Sequence, residues 1–386
     1  MPGSSFKTII FTVMNCYDVI IVGGGLAGLT SAIAISGFGH RVLLFETNPY
    51  PHHKVCGEYV SNEVLPYLEY LGVDLIASGG VPITDFEIST TTGKKISTTL
   101  PLGGTGISRF LFDELLYKKA KSKGVEFSFT KVTDISFASN SFTVKSSGDS
   151  YEATIVLGAY GKRSTLDKTL NRAFSFKKQD WLAVKAHYTH DSFSDNLVAL
   201  HNFEGGYGGL SKTETGAVNF CYLAHYSTFK KYNDIDEFNR EVVSKNPYLR
   251  DFFEQSELIF EKPLAIAQIS FDKKAPVVNH ILMCGDTAGL IHPLCGNGMA
   301  MAIHSAKLAS EAVTAFLNNA KPNRNALEKE YTNKWNSLFK NRLWFGRQLQ
   351  GLLLDDRWMN AGLGIAGRSK STLNYVISKT HGKPIV

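Results

Sequence analysis

The spacing of apolar positions divides the chain into alternating short strands and longer helices. YDVIIVGGG (Tyr17 to Gly25) is a continuous apolar run ending in glycines, LAGLTSAIAISGFG is helical and stops at Gly37 and Gly39, and HRVLLFE is a second apolar run. A β-α-β unit is expected there, because strands covered on both faces read as unbroken apolar stretches. NEVLPYLEYLG then reads as helix, and FEISTTTGKKISTTLP as two alternating strands joined at Thr92-Gly93. Ser108 is placed to cap RFLFDELLYKKAKSKG, whose Phe110, Leu111, Leu115 and Tyr117 predict the buried face of a helix closed by Gly124.

VEFSFTKVTDISF, SFTVKSS and YEATIVLGAYG continue the first unit as strands to about Ser164. From Trp181 to Ser227 the runs WLAVKAHYTH, NLVALHNF and GAVNFCYLAHY, set around EGGYGGL, predict a second, antiparallel sheet. HILMCGD returns as a buried strand, GMAMAIHSAKLASEAVTAFL is a long helix, and a helical tail follows. The resulting organisation has a flexible extension at 1–16 and a nucleotide-binding domain from 17–80, 101–172 and 276–320. A substrate-facing β layer comes from 81–100 and 173–275, and a basic helical region from 321–386.

Composition narrows this picture. With 386 residues the chain has room for more than one core, and 44% hydrophobic and 20% charged residues are those of a globular protein. No apolar run reaches the roughly 20 residues that span a bilayer. Cys16, Cys56, Cys221, Cys284 and Cys295 are scattered with no C-x-x-C, so neither a disulfide framework nor a metal or iron–sulfur site is expected, and a reducing cytoplasm fits. The net charge of +6 is concentrated in 321–386, where twelve Lys and Arg face four Asp and Glu. Interleaved with Trp335, Phe339, Leu343 and Trp344, that charge suits a helix packed by its apolar side, and also contact with an anionic membrane surface or an acyl carrier. No nucleic-acid partner is indicated.

Gly23, Gly25 and Gly28 spell G-x-G-x-x-G between strand and helix, with Leu26 and Ala27 opening the helix. The glycines allow a tight turn, close approach of a pyrophosphate and close helix packing, and the helix end presents N–H groups to phosphate. Glu46 closes the second strand where a carboxylate takes both ribose hydroxyls, so a dinucleotide site is expected.

MCGDTAGLIHPLCGNGMAMAIHSAKLASE (Met283 to Glu311) resembles the flavin-binding region of the glutathione-reductase-like FAD proteins, in the superfamily of p-hydroxybenzoate hydroxylase and the geranylgeranyl reductases. The resemblance implies an α/β Rossmann-like FAD-binding domain of three layers, an inserted antiparallel substrate sheet and a C-terminal helical tail. It also implies FAD contacts at Asp286, Pro293, Gly296, Gly298, Met299, Arg109 and Gly161. GAYGKRS departs from the superfamily's G-A-D-G by placing Tyr160 at the aspartate, which leaves NAD(P)H as reductant an open question. KVCGEYVS matches a segment that lines the flavin cavity in geranylgeranyl reductases, with Cys56-Gly57 in register and Glu58 replacing a second glycine.

The implied activity is hydride transfer between flavin and a double bond of an apolar or carrier-bound prenyl, polyene or polyketide substrate, with Tyr207, Phe220 and Tyr222 as the cavity's aromatic wall. The alternative is a class A monooxygenase of the aromatic hydroxylase type. A halogenase is disfavoured by the missing W-x-W-x-I-P, and an electron-transfer flavoprotein by the missing cysteine cluster. Lys54, Cys56 and Cys295 are the weak catalytic candidates, with Cys295 the candidate partner of Cys56 and simple packing the default reading of both thiols. His52, His53 and His292 are available proton carriers that nothing in the sequence ranks.

Overall fold

The computed structural model describes residues 15–292 and 296–354, together with 359, 362, 377 and 382–386. The chain opens with β1 (Cys16–Val22), α1 (Leu26–Gly37), β2 (Val42–Phe45), β3 (Tyr59–Ser61), α2 (Leu65–Tyr70), β4 (Val81–Ser89), β5 (Lys95–Gly106) and α3 (Arg109–Ser122). It continues through β6 (Glu126–Ser128), β7 (Val132–Ala138), β8 (Ser141–Ser146), β9 (Asp149–Gly158), α4 (Leu166–Thr169), β10 (Trp181–Thr189), β11 (Leu197–Phe203), β12 (Gly206–Lys212) and β13 (Val218–His225). Then come α5 (Tyr226–Phe229), α6 (Ile235–Glu241), α7 (Pro247–Glu254), β14 (Glu257–Leu258), β15 (Leu264–Ile269), β16 (Val277–Val278), β17 (Ile281–Met283), α8 (Gly298–Leu317) and α9 (Arg324–Leu354).

Two sheets carry the architecture. In the first, the order is β16-β17-β9-β1-β2-β6, with β8 beside β9 and β7 beside β8. β1 lies between β2 and β9, parallel to both, and Val19 to Val22 and Val42 to Phe45 are all buried. Ligands of such sheets sit at the carboxyl ends of the strands, where Gly23 ends β1. α1 is buried along nearly its whole length and packs against α3 and α8, which explains why it shows no polar face.

The second sheet runs β14-β10-β13-β12-β11-β4-β5-β3, with β15 also on β10. It is mixed rather than purely antiparallel, because β11 pairs in parallel with β4. Helices α5 to α7 lie between β13 and β14, inside the span 173–275 assigned from sequence to the β layer. They cover one face through Phe238, Val242, Leu249 and Phe252, packed on Val184, Ala186, Phe220 and Tyr222. The other face looks toward the first domain.

α3 is rotated from the expected face. Its buried residues are Phe112, Asp113, Leu116 and Ala120, whereas Phe110 is 38% exposed and Leu111, Leu115 and Tyr117 are half-buried. Two apolar stripes run side by side on this helix, and the one that also turns Arg109 and Asp113 inward is the one the fold uses.

The basic tail belongs in part to the body. Leu327, Tyr331, Trp335, Phe339 and Leu343 of α9 join the first core, and Tyr331 Oη donates to Met283 O at 2.6 Å. Trp344 remains 57% exposed, and most of the expected basic region beyond Leu354 lies outside the described residues. No helix among those described is long and apolar enough to cross a membrane. Phe339→Ala is expected to lower the unfolding free energy by about 3–5 kcal/mol, the usual range for emptying a buried phenylalanine site. Trp344→Ala should change it by less than about 0.5 kcal/mol in the same denaturant titration.

Candidate active site

Gly23 leaves β1 at φ +107°, and its N–H donates to Phe45 O at 2.8 Å. A side chain there would run into Ala159 O, and one at Gly28 into Gly23 O, so both glycines are required by close packing. Gly25 is different. A Cβ there would meet only Arg109 Nη2, at 3.7 Å, across an open gap in front of the first turn of α1, which no side chain caps.

That gap is edged by two cations. Arg109 grips the buried Asp113 through Nε at 2.6 Å and Nη2 at 2.7 Å, and Lys54 Nζ lies 3.0 Å from the same carboxylate. Burial alone would raise the Asp113 carboxyl, but Arg109 and Lys54 override it and hold it below its ordinary range. Burial likewise works to lower the Arg109 pKa, yet Asp113 keeps the guanidinium charged and its pKa raised. Lys54 also approaches Glu46 Oε2 at 3.6 Å and Gly24 O at 3.4 Å. It therefore stands in the glycine turn beside Arg109. Glu46 holds the turn, accepting from Gly24 N at 3.0 Å and Thr47 N at 2.7 Å.

A second set of backbone turns faces the same cavity. Gly285, at φ +58°, donates to Ser305 Oγ at 2.8 Å, and Asp286 follows on the cavity wall. Gly161, at φ +81°, donates to Thr287 Oγ1 at 2.8 Å. Gly296, Gly298 and Met299 border the cavity at the start of α8, where no side chain caps the helix. Pro293 and Cys295 lie outside the described residues, and with them the candidate pairing of Cys56 with Cys295. Tyr160 also borders the cavity, and its hydroxyl accepts from Arg172 Nη1 at 3.5 Å. Arg172 is itself tied to Asp167 at 2.8 Å.

The KVCGEYVS segment runs between the two domains. Cys56 O accepts from Asn219 Nδ2 and Gly57 O from Ser211 Oγ, both at 3.3 Å, which pins the segment to the second sheet. A Cβ at Gly57 would meet nothing within 4 Å, and Gly57 borders the cavity. Its lack of a side chain therefore keeps space open for a bound group. Cys56 and Cys221 line the same cavity, and burial pushes the Cys221 thiol up to about 12.

Glu58 is the residue that sequence reasoning passed over. It sits at φ +53°, in the left-handed conformation that suits the glycine it replaces, and its side chain is fully buried. Such a backbone costs about 1–2 kcal/mol for a residue with a Cβ. Its carboxylate accepts from Lys185 Nζ at 2.5 Å, His187 Nε2 at 2.6 Å and Arg109 N at 2.7 Å. Burial tends to raise this carboxyl, but His187 and Lys185 together bring it below its ordinary range. Donor atoms of His53, Glu58 and His187 lie within 4.8 Å of one another, but the Lys185 ammonium already supplies the positive charge a cation would bring. The sequence did hold a signal for it. Lys185 and His187 break an otherwise apolar strand two residues apart, on one face, and a lysine buried that way needs a counter-charge.

The cavity measures about 1730 Å³ and continues from the glycine turns to the inner face of the second sheet. Phe86, Ile88, Val198, Leu200, Leu223 and Ile266 line that part. Tyr207 belongs to this wall. Tyr222 borders the cavity too, whereas Phe220 does not. Both rings pack in the outer core, Phe220 with Phe252 at 5.8 Å and Tyr222 with Phe238 at 5.9 Å. Period-two alternation puts Phe220 and Tyr222 together on one face, and here that face is the one covered by helices.

Residues 16–334 match the FAD binding domain family. Among curated proteins, menaquinone reductase of Mycobacterium tuberculosis is 23% identical over 93% of this chain and 90% of its own length. Digeranylgeranylglycerophospholipid reductase of Methanosarcina mazei is 26% identical over 83% and 80%. Among solved structures, the flavin-dependent brominase Bmp2 superposes with a TM-score of 0.74 at 19% identity, over 95% of this chain and 93% of that one. The probable FAD-dependent monooxygenase pqsL of Pseudomonas aeruginosa gives 0.72 at 15%, over 90% and 99%. At these identities the structural likeness speaks for the fold.

The residues around the cavity fit FAD: an open gap at Gly25 edged by two cations, a carboxylate after β2, and space kept clear at Gly57. Gly57→Leu is expected to yield protein with less than about one tenth of the wild-type FAD content by absorbance, since it fills that space. Glu58→Gln should cost about 3–5 kcal/mol in denaturant titrations by leaving the Lys185 charge unpaired, and Lys185→Met in the same chain should restore most of it. Because the folded Glu58 pKa is depressed, its contribution is present above the ordinary glutamate range and lost as pH falls through the folded value. The stability gap between wild type and Glu58→Gln should therefore close in acid.

Proposed function

This chain belongs to the FAD binding domain family and is an FAD-dependent oxidoreductase; we propose that it reduces a double bond in a substrate with a long apolar chain. The observation that carries the reading is the continuity of one cavity from the phosphate-facing turn at Gly25 to the apolar inner face of the second sheet. A volume of about 1730 Å³ exceeds the range of about 300–1,000 Å³ usual for a single small ligand, so a second molecule has room beside the cofactor.

In this reading Arg109, Lys54 and the first turn of α1 hold the FAD pyrophosphate, Glu46 meets the ribose and Asp286 the ribityl chain. Bound there, FAD supplies a carrier of two electrons that can be passed as hydride. The start of α8 adds positive potential at its end of the cofactor. Phe86, Ile88, Val198, Leu200 and Ile266 present a dry wall to the chain of the substrate, which excludes water from the reacting centre. Two relatives at 23% and 26% identity are named for reductions of a menaquinone and a digeranylgeranylglycerophospholipid, which supports an apolar chain.

The test is anaerobic. Holoenzyme reduced with dithionite and mixed with a short-chain menaquinone or a geranylgeranyl glycerol ether should return its flavin to the oxidised spectrum, with a product carrying two more hydrogens by mass spectrometry. Reoxidation only on admission of oxygen, with an oxygen atom recovered in the product, would overturn the reductase reading in favour of a hydroxylase.

A further inference from the structure

One cation on the cavity wall has no counter-charge. Lys162 belongs to the GAYGKRS turn after β9, is half-buried and borders the cavity. Its Nζ donates to Val55 O at 3.1 Å, so the side chain reaches from that turn to the residue before Cys56. Among the described residues this carbonyl is its one hydrogen-bond acceptor, and no carboxylate pairs with it. Other cations turned inward here are matched: Arg109 and Lys54 by Asp113, Lys185 by Glu58, and Arg172 by Asp167.

A lysine ammonium carries three N–H donors, and the Val55 carbonyl takes one of them. A carbonyl dipole compensates a partly desolvated cation only in part, so the charge calls for an anion. Its place in the cavity is set by its neighbours. Val55 packs with Phe86 and Ile266 against Leu200, Tyr207 and Leu223, the residues of the apolar wall. Cys221, on the inner face of β13, feels the same charge: burial raises its thiol and Lys162 works against that rise. The ammonium therefore stands where the glycine turns give way to the apolar wall. The gap at Gly25 has its own two cations, Arg109 and Lys54, which leaves Lys162 for a second molecule.

We infer that Lys162 forms an anion subsite at the head of the apolar wall, built to receive a carboxylate of the substrate. One ammonium matches one negative charge, and a few polar groups in an apolar pocket are what fix a ligand's orientation. The substrate class is then an apolar chain with a carboxylate at one end. A neutral chain still fits the wall, with lower affinity. The inference rests on the reading that the cavity accepts an apolar chain, and it adds which end of the molecule lies at the glycine turns. Lys162 is in this way a specificity-determining residue.

The test uses FAD-loaded protein and two probes of equal chain length, decanoate and 1-decanol, titrated by the change in flavin absorbance and by calorimetry. Wild type should bind decanoate about tenfold more tightly, the preference one charge-assisted hydrogen bond gives. Lys162→Met should bring the ratio near one while leaving FAD content and decanol affinity unchanged, and Lys162→Arg should keep most of the preference. Lys178→Met, which removes an exposed cation bordering the same cavity, should keep all of it. Equal binding of both probes by wild type, or an equal loss of preference in Lys178→Met, would overturn the subsite while leaving the apolar-chain reading intact. Loss of FAD from Lys162→Met would place the ammonium on the cofactor and overturn it as well. Failure of wild type to bind either probe would remove the apolar-chain reading and the subsite with it.

Discussion

A single buried carboxylate holds the two halves of this molecule in register. Glu58 accepts from Lys185 and His187 of β10, on the second sheet, and from the backbone of Arg109, the first residue of α3 on the cofactor side. Neither the Glu58 carboxylate nor the Lys185 ammonium could be buried alone, because a charge in a low-dielectric interior needs a partner close by. The same α3 terminus receives a further carboxylate, Glu214, whose oxygens accept from Ser108 N at 2.7 Å and Ser108 Oγ at 2.5 Å. Two anions from different segments thus converge on the positive end of one helix.

This arrangement fixes the geometry of the glycine turn. With its first residue anchored by Glu58, α3 presents Arg109 toward Gly25, and Asp113, one turn along, sets the plane of the guanidinium by a two-point contact. Lys54 joins the same carboxylate from the connection after β2. The two cations beside Gly25 are consequently held by buried anions and not by solvent. The left-handed backbone at Glu58 is the strain retained to make that possible.

Some of this was legible in order along the chain. The β1–α1–β2 unit and its glycines read directly, because contacts within it are local and the apolar runs have no competing period. The departure of Glu58 from the second glycine was visible too, but its meaning was not, since its partners lie 127 and 129 residues away. The face of α3 was misjudged because two apolar stripes run along it, and only the buried Asp113 distinguishes them. Phe220 and Tyr222 were expected to wall the cavity. Alternation established that they share a face, and the helices α6 and α7 cover it; Phe220 is thereby kept off the cavity, while Tyr222 still borders it.

The sequence by itself determined the cofactor class and the form of its cradle, because a pyrophosphate site on a parallel sheet is made by one strand, one turn and one helix that are contiguous in the chain. It also determined that the chain has a second, strand-rich layer. The tertiary structure alone decided the rest. It set Lys54 beside Arg109 at the glycine turn, gave Glu58 its three partners, and placed Tyr207 on the cavity wall with His292 behind it. Those juxtapositions join segments far apart in sequence across the boundary between two sheets. No periodicity within either segment carries information about the distance between them.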